Sequence, residues 1–248
     1  IGEVAHDFRY EASGALKGIE RGRHFCQNDA HLFVTPEQIK PEFKNVVDLI
    51  FDVYKDFGIT EYRCVLSLRD PEDKEKYHPD DEMWNKAENE LREVLNELGI
   101  EYTEEIGEAA FYGPKLDVNV TPAVGNEYTL STCQLDFCLP AKFDLKYVDK
   151  DGEKKTPVVL HRAILGSLDR FMAYILEETK GALPTWLAPT QVKVIPVNPE
   201  LHSEYGEEIT NLLKDNDIRA ELDNRNEKLG YRLREAQTEK VPYTLILG

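Results

Sequence analysis

The sequence is short of cysteine, short of basic side chains relative to acidic ones, and free of long apolar runs. Each of these absences removes a class of protein. The four cysteines, Cys26, Cys64, Cys133 and Cys138, show no C-x-x-C spacing, so neither a disulfide framework nor a zinc ribbon is implied, and a reducing cytoplasm is the expected compartment. No apolar run approaches the roughly 20 residues that a membrane helix needs, so no membrane association is expected, and no signal-peptide pattern opens the chain. Lys and Arg number 30 against 47 Asp and Glu, a formal charge of −17. That balance argues against indiscriminate nucleic-acid binding, yet it leaves room for a local basic patch. Much of the acid falls between Asp70 and Glu105 and reads as a solvated face. There is no internal repeat and no low-complexity segment. An initiating methionine is also lacking, and the chain ends in the strand-like run 241–248; the expectation is a piece of a longer protein.

What is present falls into two grammars. Thr35-Pro36-Glu37-Gln38 reads as a helix start, with Thr35 as N-cap, Pro36 at the first helical position and Gln38 completing a capping box. Phe43, Val46, Val47, Ile50, Val53 and Tyr54 follow at helical spacing, with Pro41 early enough to be tolerated or to kink the helix. Residues 61–68 alternate as a strand, and 81–98 read as a second long helix with an acidic exterior. Leu116, Val118 and Val120 then alternate with Lys115, Asp117 and Asn119. Residues 128–137 alternate again, with Thr132, Gln134 and Asp136 on one face. Polar side chains on one face of an otherwise buried strand need partners or a ligand. Residues 143–160, turning at 149–152, predict a hairpin that returns through the same sheet. The next helix is expected to bury Leu165, Leu168, Phe171, Met172, Ile175 and Leu176. Mostly antiparallel strands closed by a helix make an α+β layout.

Residues 182–190, with Pro184 and Pro189 around Trp186 as an anchor, read as a linker. Beyond it the order becomes strand 192–196, helix 204–215, strand 218–222, helix 227–239 and strand 243–247. That βαβαβ order predicts a small parallel or mixed α/β domain.

The chemistry is densest in FRYEASGALKGIERGRHFCQNDAH, residues 8–31. A core strand would be more apolar, and a surface helix would not carry glycine at 14, 18 and 22. The stretch reads as two strands joined by a mobile loop, with Arg9 and Glu11 before it and Arg21, Arg23 and Phe25 after it. Arginines converging from both arms suit an anion such as a phosphate chain, because a guanidinium is planar, always charged and bidentate. Any one of them alone reads as a surface ion pair; it is the three together that point to an anion.

FRYE, the loop and RGRHF resemble motif 2 of class II aminoacyl-tRNA synthetases, and LHRAILGSLDRF resembles their motif 3. QNDAHLFVTPEQI, FYGPKLDV, STCQLDFCLP and PTWLAPTQV are similar to the threonyl-tRNA synthetases among them, and RNEKLGYRLREAQTEKVPY resembles their anticodon-binding domain. The likeness covers nearly the whole chain, and the ordered combination is far more specific than either motif. It implies a catalytic core at 1–185, an antiparallel sheet with flanking helices that lacks motif 1, then an incomplete anticodon-binding domain at 190–248. It implies a threonine–tRNA ligase, which joins threonine to ATP with Mg²⁺, giving threonyl-adenylate and pyrophosphate, and passes the acyl group to tRNA(Thr). A homodimer is implied for the full-length protein.

The resemblance also implies roles. Arg9 would hold the α-phosphate and the threonine carboxylate, and Glu11 would accept from the adenine amino group. Arg21 would meet the γ-phosphate, Phe25 would stack on adenine, and Arg170 would cover its other face and reach the phosphates. Lys115 would offset phosphate charge and Ser167 would line the site. Gln27, Asp29, Tyr112 and Gln134 match positions that contact threonine or the adenylate; Tyr112 and Gln134 read equally as partners of buried backbone. His31 and His161 match two ligands of a zinc ion whose third protein ligand, a cysteine, is expected upstream. Such a metal takes the amino group and hydroxyl of threonine, and so rejects valine, an isostere that an apolar pocket separates poorly. With two histidines the site is incomplete, and Cys26 matches a position that is not a ligand. Two departures from the family stand out, Asn28 where Asp is usual and Asp169 where Glu is usual; adjusted packing is the expected result. In the last domain, Arg225, Asn226, Lys228, Arg232 and Arg234 make a basic cluster, with Asn226 and Arg234 as the tRNA contacts, although a solvated helix face reads as well. The competing reading is a non-catalytic paralogue or fragment that binds tRNA or a partner.

Overall fold

The first strands form a hairpin. β1 (Gly2–Phe8) and β2 (His24–Val34) run antiparallel, with Phe8 opposite His24 and Gly2 opposite Ala30. The Arg9 N–H donates to the Arg23 carbonyl at 2.9 Å, which carries the pairing to the loop's edge. The loop itself holds a 3₁₀ turn at Ser13–Ala15. The structure, a computed structural model, describes every residue of the chain except Val124.

The capping box is present. The Thr35 N–H donates to Gln38 Oε1 at 2.9 Å. It opens a 3₁₀ turn, Pro36–Gln38, that leads into α1 (Ile39–Phe57). α1 buries Ile39, Phe43, Val46, Val47, Ile50 and Tyr54, each large apolar side chain contributing about 1.5–3 kcal/mol. It ends at Gly58, whose φ of 69° is the left-handed conformation that closes many helices. β3 (Tyr62–Leu68) follows, then α2 (Asp81–Glu97), with the Asp80 carboxylate accepting from the Met83 N–H at 3.0 Å. β4 (Tyr102–Ile106), β5 (Lys115–Val120) and β6 (Tyr128–Asp136) complete this stretch.

Next come α3 (Leu139–Lys142), β7 (Tyr147–Val148), β8 (Lys154–Lys155), β9 (Val158–Ala163) and α4 (Leu168–Glu178). The main sheet has the order β1-β2-β9-β6-β5-β3-β4 and is antiparallel except for the β3–β4 pair. The expected return of residues 143–160 through this sheet holds only for β9. β7 and β8 form a ribbon of their own, held across its turn by Lys155 pairing with Asp149 and Asp151, and it leaves Phe143 and Val148 exposed. The expected stripe of α4 also needs correction. Phe171, Tyr174 and Ile175 are buried, whereas Met172 and Leu176 are exposed. Phe171 sets this phase by packing edge-on against Phe57, ring centroids 4.8 Å apart.

The chain divides into two compact units, Ile1–Ala173 and Tyr174–Gly248. Trp186, expected as an anchor in the stretch 182–190, is half exposed. The second unit contains β10 (Val192–Pro196), α5 (Pro199–Asp215), β11 (Ala220–Leu222), α6 (Leu229–Thr238) and β12 (Tyr243–Leu247). Its sheet is parallel, order β11-β10-β12, over a core of Val192, Val194 and Ala220 packed with Ile209, Leu213 and Leu222. α5 starts earlier than the periodicity indicates, because Asn198 caps it at 3.0 Å from the Glu200 N–H and Pro199 occupies the first turn.

Candidate active site

Strand alternation gives the main sheet two unlike faces. Ser131, Cys133 and Leu135 of β6 are buried, and the Tyr54 hydroxyl of α1 meets Ser131 Oγ at 2.8 Å, so α1 covers that face. Thr132, Gln134 and Asp136 point the other way. Register then lines up one polar row across five strands: Ser67 opposite Lys115, Lys115 opposite Gln134, Gln134 opposite His161, and His161 opposite His31.

A cavity of about 210 Å³ opens on this second face. Arg9, Glu11, Arg21 and Phe25 line it from the hairpin, Gln27 from β2, Gln134 from β6, and Ser167 and Arg170 from the segment that starts α4. These are residues the sequence singles out, and the fold brings them together. The Arg9 guanidinium lies over the Phe25 ring, 5.1 Å from its centroid. Arg21 Nη2 is 3.3 Å from Glu11 Oε2. Arg170 Nε donates to the Glu20 carbonyl at 3.0 Å, and its guanidinium lies 5.2 Å from the Tyr128 ring centroid. The three guanidinium groups are thus held by neutral contacts and one carboxylate, an arrangement that can exchange these partners for a polyanion.

A backbone bridge ties β2 to the segment that starts α4. Gln27 bridges Ser167, and the Asn28 N–H donates to the Gly166 carbonyl at 2.9 Å. The two departures from the family pattern add to these ties. Asn28 Oδ1 accepts from the Ile164 N–H at 3.3 Å, and Asp169 Oδ2 accepts from the Cys26 N–H at 2.8 Å.

Tyr112, Asp29, Lys115, His31 and His161 do not line the cavity itself. Tyr112 donates to Gln134 Oε1 at 2.5 Å. Burial pushes the Tyr112 phenol above its usual range, with Asp136 and Asp117 adding to the effect, so it remains a donor at neutral pH. Gln134 Nε2 donates in turn to Thr132 Oγ1 at 3.2 Å, and Thr132 Oγ1 donates to Asp117 Oδ1 at 2.7 Å. Lys115 pairs with Asp117, which ties its ammonium to this chain of contacts. The His31 and His161 rings meet edge-on, centroids 4.8 Å apart. His161 Nε2 contacts Asp136 Oδ2 at 2.9 Å, and His31 Nδ1 lies 3.8 Å from Asp29 Oδ2. Asp136 is buried and its other oxygen accepts from the N–H groups of Cys138 and Leu139, at 2.9 and 2.8 Å.

Sequence reasoning missed Glu20, Thr129, Leu130 and Ala163 in the lining. In the sequence Thr132 stands out only as one of a polar set on its strand. Nothing local distinguishes Thr129, because a register shift between Val118 and Asn119 decides where it lies.

The family of tRNA synthetase class II core domains (G, H, P, S and T) matches residues 1–179. The chain belongs to this family. The anticodon binding domain family matches residues 191–248 of this class II synthetase chain. A threonine–tRNA ligase of Staphylococcus aureus is 58% identical over the whole chain, which spans 38% of that relative's length. Among solved structures, the RNA binding domain of threonyl-tRNA synthetase from Cryptosporidium parvum superposes with a TM-score of 0.90 at 36% identity, covering 100% of this chain and 61% of that one. A Giardia lamblia prolyl-tRNA synthetase, TM-score 0.69 at 17% identity over 99% of this chain and 45% of that one, shares the fold. The catalytic-type sheet with flanking helices, followed by a small α/β anticodon-binding unit, is the layout expected of the class II synthetases.

In the second unit of this class II synthetase chain, Asn226 and Arg234 are exposed. The rest of the expected basic cluster is not all free to meet a partner. Arg232 is fully buried and donates to the carbonyls of Asp223 at 2.9 Å, Pro196 at 2.8 Å and Glu227 at 3.2 Å. Arg225 is engaged by Asp223 and Glu235. No helix among the described residues is long and apolar enough to cross a membrane.

Proposed function

We propose that the protein to which this chain belongs is a threonine–tRNA ligase, and that the cavity on the open face of the main sheet binds ATP beside a threonine pocket. The carrying observation is the meeting of Arg9, Glu11, Arg21, Phe25, Gln27, Gln134, Ser167 and Arg170 in one cavity, in the same sheet row as the His31–His161 pair. The 58% identity to a threonine–tRNA ligase supports the reading, although the chain spans 38% of that relative.

The reaction asks for little covalent chemistry from the protein. A threonine carboxylate oxygen attacks the α-phosphorus of ATP, and pyrophosphate leaves with the electron pair of the broken P–O bond. Positioning and charge neutralisation govern such a step. Arg9 would leave the Phe25 face to grip the α-phosphate and the carboxylate, and the freed ring would stack on adenine, with Arg170 on its other side. Glu11 would release Arg21 to the γ-phosphate and accept from the adenine amino group. Gln134, oriented by Tyr112, and Gln27 would hold the amino acid, with Lys115 as a nearby positive charge. Mg²⁺ would accompany ATP. The acyl group would then pass to a ribose hydroxyl of tRNA(Thr), AMP leaving, with Asn226 and Arg234 among the contacts to the tRNA.

His31 and His161 fit two ligand positions of a zinc ion. A buried carboxylate orients His161 through Nε2, as second-sphere carboxylates orient metal-bound imidazoles, leaving Nδ1 as the ligand atom. When bound, the ion would act as a Lewis acid for the threonine amino group and hydroxyl. Asp29, beside His31, would accept from that hydroxyl. A third ligand, motif 1 and the homodimer belong to the longer protein, which we place in the cytoplasm.

The test is threonine-dependent ATP–pyrophosphate exchange with zinc, run on this chain and on a form extended upstream through motif 1. Exchange by the extended form with threonine, weaker with serine and absent with valine, is the expected result. An extended form silent with all three amino acids sinks the proposal and leaves the non-catalytic reading in its place. Equal exchange with valine removes the metal-based selection.

A further inference from the structure

We propose that His6, His24 and Cys26 form a second metal site, a three-ligand site for one divalent cation of borderline softness, with Zn²⁺ the best match. Register places them. Cys26 on β2 lies directly opposite His6 on β1, and His24 is two residues from Cys26 on the same strand. All three side chains therefore share one face of the hairpin. Phe25, Gln27, Asp29 and His31 occupy the other, so this trio is separate from the proposed substrate cavity and from the His31–His161 pair.

The donor atoms have the spacing that a metal requires. His6 Nδ1 is 3.0 Å from His24 Nε2 and 3.5 Å from Cys26 Sγ, and the three donors lie within 4.8 Å of one another. Ligands around one tetrahedral zinc, at about 2.1 Å for nitrogen and about 2.3 Å for sulfur, are about 3.4 Å apart for two nitrogens and about 3.6 Å apart for nitrogen and sulfur. Both measured pairs are close to these values. The widest separation is within reach of a χ rotation of the exposed His24. Among the described residues, this is the trio of His, Cys, Asp or Glu side chains that converges in this way.

The surroundings prepare the site. The Phe8 ring stacks on His24, centroids 4.6 Å apart and planes 13° from parallel. The His6 ring stacks on His24 from 5.2 Å. Asp169 holds the Cys26 backbone through its N–H. His6 and His24 are exposed and Cys26 is half-buried, so an ion has access from solvent. Two imidazoles and a thiolate select zinc-like ions over magnesium and calcium, which prefer oxygen. The fourth position faces solvent. Bound there, an ion would clip β1 to β2 at the base of the loop that carries Arg9, Glu11 and Arg21.

Hydrogen bonding among a thiol and two neutral imidazoles is the plainer account of the same distances, and Co²⁺ separates the two. Titrated into the chain, Co²⁺ should give a thiolate-to-metal charge-transfer band that saturates at one ion per chain and bleaches when Zn²⁺ is added. The band should vanish in Cys26→Ser and in His6→Ala. It should persist in a His31→Ala/His161→Ala variant, with circular dichroism confirming that each variant is folded. Zn²⁺ should also raise the Tm of the unaltered chain and not that of Cys26→Ser. No band in the unaltered chain overturns the proposal, as does an undiminished band in folded Cys26→Ser, where Cys64, Cys133 or Cys138 would be its source. Should the double-histidine variant fail to fold, the comparison of the unaltered chain with Cys26→Ser decides alone. A band that Zn²⁺ cannot bleach overturns the assignment to zinc.

Discussion

Arg9 and Phe25 stack on each other across the mouth of the hairpin, and Glu11 and Arg21 pair nearby. Each of these side chains is thus engaged by a partner that the proposed nucleotide binding would require it to give up. Arg9→Ala should lower the exchange rate of the extended protein by about 10²–10³-fold, the cost typical of removing one fixed donor from a developing charge. Arg9→Lys should restore little of it, because an ammonium cannot grip phosphate and carboxylate bidentately; kcat measured for both variants checks this. If Arg9→Ala keeps the full rate, Arg9 is only a hairpin contact. These residues were legible because motif 2 keeps them close in sequence on the two arms of one hairpin. Thr129 and Ala163 were not, because each reaches the cavity only through the register of β6 with its neighbours. The trio of His6, His24 and Cys26 was equally invisible: His24-x-Cys26 acquires meaning only once His6 is known to lie across from Cys26.

At the scale of elements, the position of β9 decides the site. It enters between β2 and β6, and so places His161 between His31 and Gln134. The turn after it depends on Gly166, whose φ is 59° and whose missing Cβ would sit 2.6 Å from the Leu130 carbonyl oxygen. Gly166→Ala combines backbone strain with a clash against backbone, which cannot swing aside. It should destabilise by about 2 kcal/mol, lowering Tm by roughly 4–8 °C. It should also reduce exchange, because Ser167 and Arg170 follow immediately. A calorimetric Tm within a degree or so of the parent's would show that the turn relaxes freely. The helix α1 was readable from its capping box and apolar spacing, since those signals are local. The β7–β8 ribbon was read as part of the main sheet because a short polar hairpin and a returning strand carry the same turn signal.

For the molecule as a whole, the charge of −17 would make the proposed tRNA binding depend on a few local cations. Arg234 is exposed and, as a phosphate contact, would displace one counterion. Arg234→Ala should weaken tRNA binding at low salt and flatten the plot of log K against log salt by about 0.7; an unchanged slope would remove Arg234 from the interface. Stability in the second unit has its own pH signature. The hydrogen bonds from Arg225 hold the Asp223 carboxyl below its usual pKa, with Arg232 adding a smaller pull. A carboxyl lowered on folding stabilises the folded state above its unfolded pKa of about 3.9, and that contribution fades as pH falls through the lower folded value. Asp223→Asn should therefore be less stable than the parent near pH 7, and the gap should close in strong acid. Denaturant melts at several pH values measure it, and a gap that is constant with pH would assign the loss to packing instead.

The amino-acid sequence by itself determined the long helices and most strands, though not β4 or α3, together with the two grammars of the chain and the hairpin with its arginines. All of these rest on signals within about ten residues: caps, turns, alternation and apolar period. Tertiary structure alone decided which face of the sheet stays open, that β9 joins His161 to His31, and that Arg232 is spent on the carbonyls of Asp223, Pro196 and Glu227 instead of on a partner. Those outcomes depend on pairings between residues as many as 130 positions apart, as His31 and His161 are. A strand's own side chains specify which of its faces is apolar, but its neighbours are chosen by the packing of the whole sheet.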